Sequence, residues 1–247
     1  MKLLWKKDEA KQILLGWKLD ALQHFEDKMT NRYEPFPCIP ATQAFSLGHL
    51  RYGFVGALES DITPNQVTQI LKEYSEGFRQ FGKFTTLIVF FKTENITNLT
   101  VEKYEQMYWR LLNELTANDE KAWPEHIPED PHDATWEFCF HGEPYFMYCA
   151  TPAHKQRNSR AFPYFILAIT PRWTLQQFNA SADYAEKVKG KIRQRLENYD
   201  QITPHPELRK YGEHDNYEWK QYFLHDDDTV ISNCPFLRRQ QVMRKQK

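Results

Sequence analysis

The residues whose types and spacing suit chemistry fall in two short stretches: Cys38 in Phe36-Pro37-Cys38, and His154, Arg157 and Arg160 in Pro152 to Arg160, PAHKQRNSR. A cysteine on a proline-braced segment can be a nucleophile, a thiolate metal ligand or a small buried hydrophobe, and all three readings stay open on residue type alone. An imidazole such as His154 can ligate a metal, act as a general base or face solvent. The forked guanidinium groups of Arg157 and Arg160 suit carboxylates, whether a ligand's or those of neighbouring acids. Arg51-Tyr52 adds a further cationic and aromatic pair. Glu137, Glu143 and Asp130 are acids that can receive a guanidinium through paired hydrogen bonds. His126, Asp130, His132 and Asp133 crowd one acidic loop, but their spacings match no metal-site template. The chain contains no GxGxxG, GxxxxGK[ST], HExxH or GxSxG, which removes the commonest nucleotide-binding and hydrolase readings.

These residues need elements to hold them. Trp136, Phe138 and Phe140 alternate with polar residues, His141-Gly142-Glu143-Pro144 reads as a turn, and Tyr145, Met147 and Cys149 alternate on the return. That pattern predicts a hairpin delivering the basic loop. Phe84 to Phe91 and Tyr164 to Ile169 are apolar runs of the kind buried on both faces of a sheet. Helical spacing predicts one helix over Asp8 to Lys28, another opened by Thr63-Pro64 and running to about Phe81, a third from Val101 to Leu115, and a charged one over Tyr184 to Tyr199. The three prolines of Tyr33 to Pro40 predict a rigid extended segment presenting Cys38. Gly48 to Val55 reads as a strand, 119–133 as a long irregular connection, and 200–228 as coil. Helices and strands do not alternate regularly and the hairpin is antiparallel, so an α+β fold with a mostly antiparallel central sheet flanked by helices is expected.

The chain has 247 residues, of which 41% are hydrophobic. It can bury one sizeable core, and a single domain over 1–247 with a basic tail at 237–247 is the expected organisation. Lys and Arg total 32 against 33 Asp and Glu, so the charge balance points to neither nucleic acid nor an anionic membrane. The apolar runs are too short to span a bilayer, and the amino terminus breaks its apolar residues with charges. Cys38, Cys139, Cys149 and Cys234 lack CxxC spacing, which fits a reduced cytoplasmic protein. The Asn-x-Ser/Thr triplets at Asn95, Asn98 and Asn179 then carry no information about glycosylation.

Several long blocks resemble the YqcI/YcgG family: FPC with Leu50-Arg51-Tyr52, FFKT at Phe90, WPEHIPEDP at Trp123, WEFCFHGEPYF at Trp136, PAHKQRNSR, HPELRKYG at His205 and EWKQYFLHDD at Glu218. The resemblance covers nearly the whole chain and extends to haem-dependent N-hydroxylases of guanidine groups, of the D-cycloserine and guanitoxin pathway type. It implies haem b, dioxygen, an external reductase and a guanidine- or amine-containing substrate such as arginine. It also implies an axial ligand, either His154 or Cys38, with Arg51, Tyr52, Arg157 and Arg160 at the cofactor. His154 is the first choice because it stands beside arginines able to clamp propionates, whereas a Cys38 thiolate would push electron density toward O–O cleavage. In the hydroxylase branch a His-Pro dipeptide precedes the Arg-x-x-Arg loop; here that position is Thr151-Pro152. The alternative implied is a haem-binding or redox-sensing protein without hydroxylase turnover.

Overall fold

A computed structural model of the protein describes residues 2–93, 99–209 and 216–237. Asn95, Asn98 and the basic tail from 238 onward lie outside the described residues. Its centre is a five-stranded sheet in the order β1-β2-β5-β4-β3, with β1 Arg51–Val55, β2 Leu87–Phe91, β3 Phe138–Phe140, β4 Glu143–Ala150 and β5 Ile166–Pro171. The fold is α+β as the sequence predicts, and the sheet is mixed: β1 and β2 pair in parallel while the other three pairs are antiparallel. The parallel pair arises because α4, Thr63–Gly77, carries the chain from the end of β1 back to the start of β2.

Strand alternation sorts the apolar side chains onto two faces. Leu87, Val89, Leu167 and Ile169 pack with α4 and with α5, Val101–Ala117. Ile88, Phe90 and Ile166 pack on the other face, with α2, Trp17–Thr30, and α3, Ile39–Ser46. Both faces of β2 are therefore buried, which its unbroken apolar run anticipates. The β3–β4 turn is tight, with His141 at φ 54° and Gly142 at φ 76°. Two successive positive φ values are the signature of a two-residue hairpin connection.

Some boundaries differ from expectation. The amino-terminal helix is two helices, α1 Lys7–Ile13 and α2, because Gly16 at φ 59° turns the chain between them, a conformation that glycine adopts without a Cβ penalty. The proline segment ends earlier than its composition suggests: α3 begins at Ile39 with Pro40 in its first turn, where a missing N–H costs nothing. Thr63 does not cap α4; its hydroxyl donates to Ala57 O at 2.7 Å. Helices α6, Arg172–Asn179, and α8, Trp219–Tyr222, lie where the sequence pattern predicts none, whereas α7, Ala182–Tyr199, matches the charged helix. No helix among the described residues is long and apolar enough to cross a membrane.

Candidate functional site

On the α2–α3 face, sheet and helices leave a cavity of about 350 Å³ between β2, β4 and β5 and helices α2, α3, α6 and α7. Its walls are mainly apolar, with Phe25, Phe36, Ile88, Tyr148 and Ile166 prominent, and its size falls within the range of small-molecule sites. Cys38 is in the wall. It occupies the N-cap of α3, and the Ala41 N–H donates toward its sulfur while burial pushes the thiol above its ordinary value. A thiol so placed is protonated at neutral pH and becomes a strong ligand only when a metal displaces the proton.

The basic loop is built differently. His154 is 4% exposed, with Nε2 2.7 Å from Leu224 O and Nδ1 2.9 Å from Thr151 Oγ1. A carbonyl only accepts, so Nε2 carries the proton and Nδ1 receives the threonine hydroxyl. Burial drives its pKa down to about 4, so the ring is neutral at pH 7 with both nitrogens satisfied. Arg157, 1% exposed, donates Nε to His225 O, Nη1 to Thr203 O, and Nη2 to both Asp227 O and the Asp228 carboxylate. Arg160 donates to the carbonyls of Cys149, Gln221 and Tyr222 and lies 4.2 Å from the centre of the Tyr148 ring. The loop thus fastens segment 221–228 to the end of the sheet.

Cys38 and the His154–Arg160 loop are accordingly not brought together through their side chains. The loop reaches the cavity with its main chain instead: the Asn158 and Ala161 carbonyls accept from Lys28 Nζ at 2.8 and 3.1 Å, and Lys28 lines the cavity. Nor do Arg51 and Tyr52 line it. Arg51 faces α4, with its guanidinium 4.1 Å from the Phe81 ring centre and Nη1 donating to Gly48 O and Leu50 O. Tyr52 is stacked on Phe90 within the core of the α2–α3 face. The acids that can receive a guanidinium are taken by the protein's own groups: Glu137 pairs with Arg172 at 2.9 Å, Glu143 with Arg79 at 2.9 Å and Asp130 with His132 at 2.9 Å. Among the described residues, no three His, Cys, Asp or Glu side chains cluster as a metal site.

Sequence reasoning missed Lys28, Tyr148 and Asn179 of the lining. Lys28 carries a readable signal, since it stands three residues after Phe25, on the side of α2 that buries Leu22, Phe25 and Met29, where a core-facing stripe takes apolar residues. Asn179 carries none, because the pattern predicts no helix at α6.

Comparison with known proteins agrees with the architecture's unity. Bacillus subtilis YqcI and YcgG are 42% and 43% identical to this chain over 242 residues, covering 97% of it and 95% and 96% of themselves. DcsA of Streptomyces lavendulae, provisionally named an N(omega)-hydroxy-L-arginine synthase, is 35% identical over 234 residues, 92% of this chain and 86% of its own. No solved structure matches the chain. The YqcI/YcgG family model spans residues 25–237, so the helix turn bearing Lys28, the Cys38 segment, the whole sheet and the 221–228 strap all fall inside it, and the chain belongs to the YqcI/YcgG family.

Proposed function

We propose that this protein is a haem-dependent oxygenase that N-hydroxylates a guanidine-containing small molecule, arginine being the first candidate. The likeness to DcsA supports the reaction class, and the observation that carries the haem reading is Cys38 in the wall of an apolar cavity. The donor set fits the group: a thiol at a helix N-cap, aromatic and aliphatic walls, and cationic side chains at the lining. Cys38 is preferred over His154 as the ligand because both imidazole nitrogens already hold hydrogen bonds. When bound, haem supplies the dioxygen activation that side chains cannot; the oxygenase stoichiometry takes one dioxygen, two electrons from a reductase and two protons, and returns the N-hydroxy product and water. The chain's own contribution is exclusion of water by Phe25, Phe36 and Phe178, orientation of the bound molecule, and a helix N–H aimed at the Cys38 sulfur.

A second reading, a haem-binding protein without hydroxylase turnover, draws on one observation: among the described residues no Asp or Glu lines the cavity to receive a guanidinium. Protein produced with iron and a haem precursor tests both. A Soret band that shifts or vanishes in Cys38→Ser and persists in His154→Gln is expected, and an unchanged band in Cys38→Ser removes the thiolate assignment. Mass spectrometry of N-hydroxyarginine formed with a reductase then separates enzyme from carrier.

A further inference from the structure

Among the described residues, the charged side chains lining the cavity are Lys28, Lys189 and Arg209, all cations. Lys28, in the last turn of α2, differs from Arg157 and Arg160 in lining the cavity with a donor still unused. Its ammonium gives two donors to the Asn158 and Ala161 carbonyls and lies 5.5 and 5.2 Å from the Phe36 and Tyr199 ring centres, and an ammonium carries a third donor. No acid among the described residues pairs with it. Asp200, whose field reaches it, is committed to Ser159, accepting from the backbone N–H at 2.7 Å and the hydroxyl at 2.9 Å. Across the same cavity, Asn179 Oδ1 is buried with no hydrogen-bond partner. An apolar chamber with a held, unneutralised ammonium and an empty acceptor is shaped for a molecule that brings the missing charges itself.

We propose that the cavity takes a ligand with a largely apolar body and a carboxylate, and that the carboxylate is bound by the remaining donor of Lys28. The inference rests on the reading that this cavity is the binding site, and the carboxylate belongs either to a tetrapyrrole side chain or to an amino-acid substrate. In the second case Asn179 Oδ1 accepts an N–H of the same molecule. Burial holds the Lys28 ammonium down to about 8, so carboxylate affinity should fall as pH rises through that value. The groups around it are Asp200 and Tyr199 at the end of α7, Lys189 within α7, Cys38 before α3, Tyr148 on β4, and Arg209. Burial raises Tyr148, Tyr199 and Cys38, leaving them neutral across that range.

Calorimetric titration with decanoate and with methyl decanoate at pH 7 tests the assignment without haem. Wild-type protein should bind the acid at least about tenfold more tightly than the ester, as a charge-assisted hydrogen bond gives, and Lys28→Met should abolish the preference while circular dichroism stays unchanged. Lys28→Gln, which keeps donors for the two carbonyls, replaces Lys28→Met if that variant does not fold. No preference or no binding in wild type, or a preference that survives in the variant, overturns the proposal. Haemin against its dimethyl ester and L-arginine against agmatine then identify the source: the pair whose discrimination the variant loses contains the carboxylate that Lys28 holds. Decanoate selectivity in a wild-type protein that acquires no Soret band sinks the haem reading and leaves the Lys28 assignment standing.

Discussion

Two parts of this molecule bury cations in opposite ways. In the strap that joins the 152–160 loop to 221–228, Arg157 and Arg160 direct guanidinium donors at main-chain carbonyls from 46 to 70 residues along the chain, and Arg160 also at the nearby Cys149 carbonyl. In the cavity wall, Lys28 is held by two carbonyls and two rings, with a donor left over and no acid among the described residues to neutralise it. A buried cation turned away from any cavity and held on main-chain carbonyls is architecture, since its charge is offset by fixed dipoles within the fold. An incompletely bonded one beside a hole carries an electrostatic penalty that a ligand can relieve. The density of basic residues in PAHKQRNSR therefore marks the strap, and a lysine at the cavity on the buried side of α2 marks the site.

The largest expected effect comes from cutting the strap. Arg157 donates to the His225, Thr203 and Asp227 carbonyls from a position 1% exposed. Its removal in Arg157→Ala should cost on the order of 3–5 kcal/mol in denaturant unfolding. Cys38→Ser, which puts a hydroxyl in the apolar wall of the hole, should cost less, about 1–3 kcal/mol. A stable Arg157→Ala protein that has lost only haem or ligand binding would reverse the comparison and return the loop's arginines to the cofactor.

Acid should probe the same strap through His154. Its pKa is lowered from 6.5 to about 4 in the fold, chiefly by burial, so between those values the unfolded chain binds the proton and the native state does not. The contribution is complete above the unfolded value of 6.5 and is lost as pH falls toward 4, by up to roughly 3 kcal/mol. His154→Gln keeps a donor for Leu224 O and an acceptor for Thr151, so it should flatten this part of the stability profile. His225 moves the other way, raised by its hydrogen bond to Glu105, and its charge adds a smaller downward push on His154. Parallel acid profiles for wild type and His154→Gln would mean that the imidazole is not the neutral strap described here.

How much of this is legible in the sequence depends on the range of the interactions involved. Helix α5 can be read because Tyr104, Tyr108, Leu111, Leu112 and Leu115 repeat within one helix, and the hairpin because alternation and His141-Gly142 are local signals, each with its own period or turn chemistry. The break between α1 and α2 is obscured by apolar spacing that continues through Gly16, and α3 by three prolines, of which Pro40 sits harmlessly in its first turn. The roles of His154, Arg157 and Arg160 cannot be read. Their acceptors at Thr203, Gln221, Tyr222, Leu224 and His225 lie 46 to 70 residues downstream, and no residue type announces that a donor will be committed to a distant carbonyl. Cys38 is legible as a cavity residue only in the sense that its segment is rigid; that it faces an apolar hole is a tertiary fact.

The smallest expected effect lies on the alkaline side and sharpens the comparison at Lys28. Its pKa falls from 10.5 to about 8 on folding because burial penalises the ammonium more than Asp200 favours it. Between those two values the unfolded chain holds the proton that the native chain has released, so wild-type stability should rise with pH across that window. Partial exposure of the side chain trims the gain to about 1–2 kcal/mol. Lys28→Met removes the slope, although its stability at neutral pH reflects opposing effects: relief from a desolvated charge, and two carbonyls at Asn158 and Ala161 left without a donor. The slope is the decisive quantity, because a carboxylate ligand should erase it too, by holding the ammonium protonated past pH 8. Urea melts at pH 7.5 and 9.5, with and without decanoate, measure both effects; a wild-type stability that falls over this interval would mean that the fold favours the Lys28 ammonium, as the carbonyls of the strap favour its arginines.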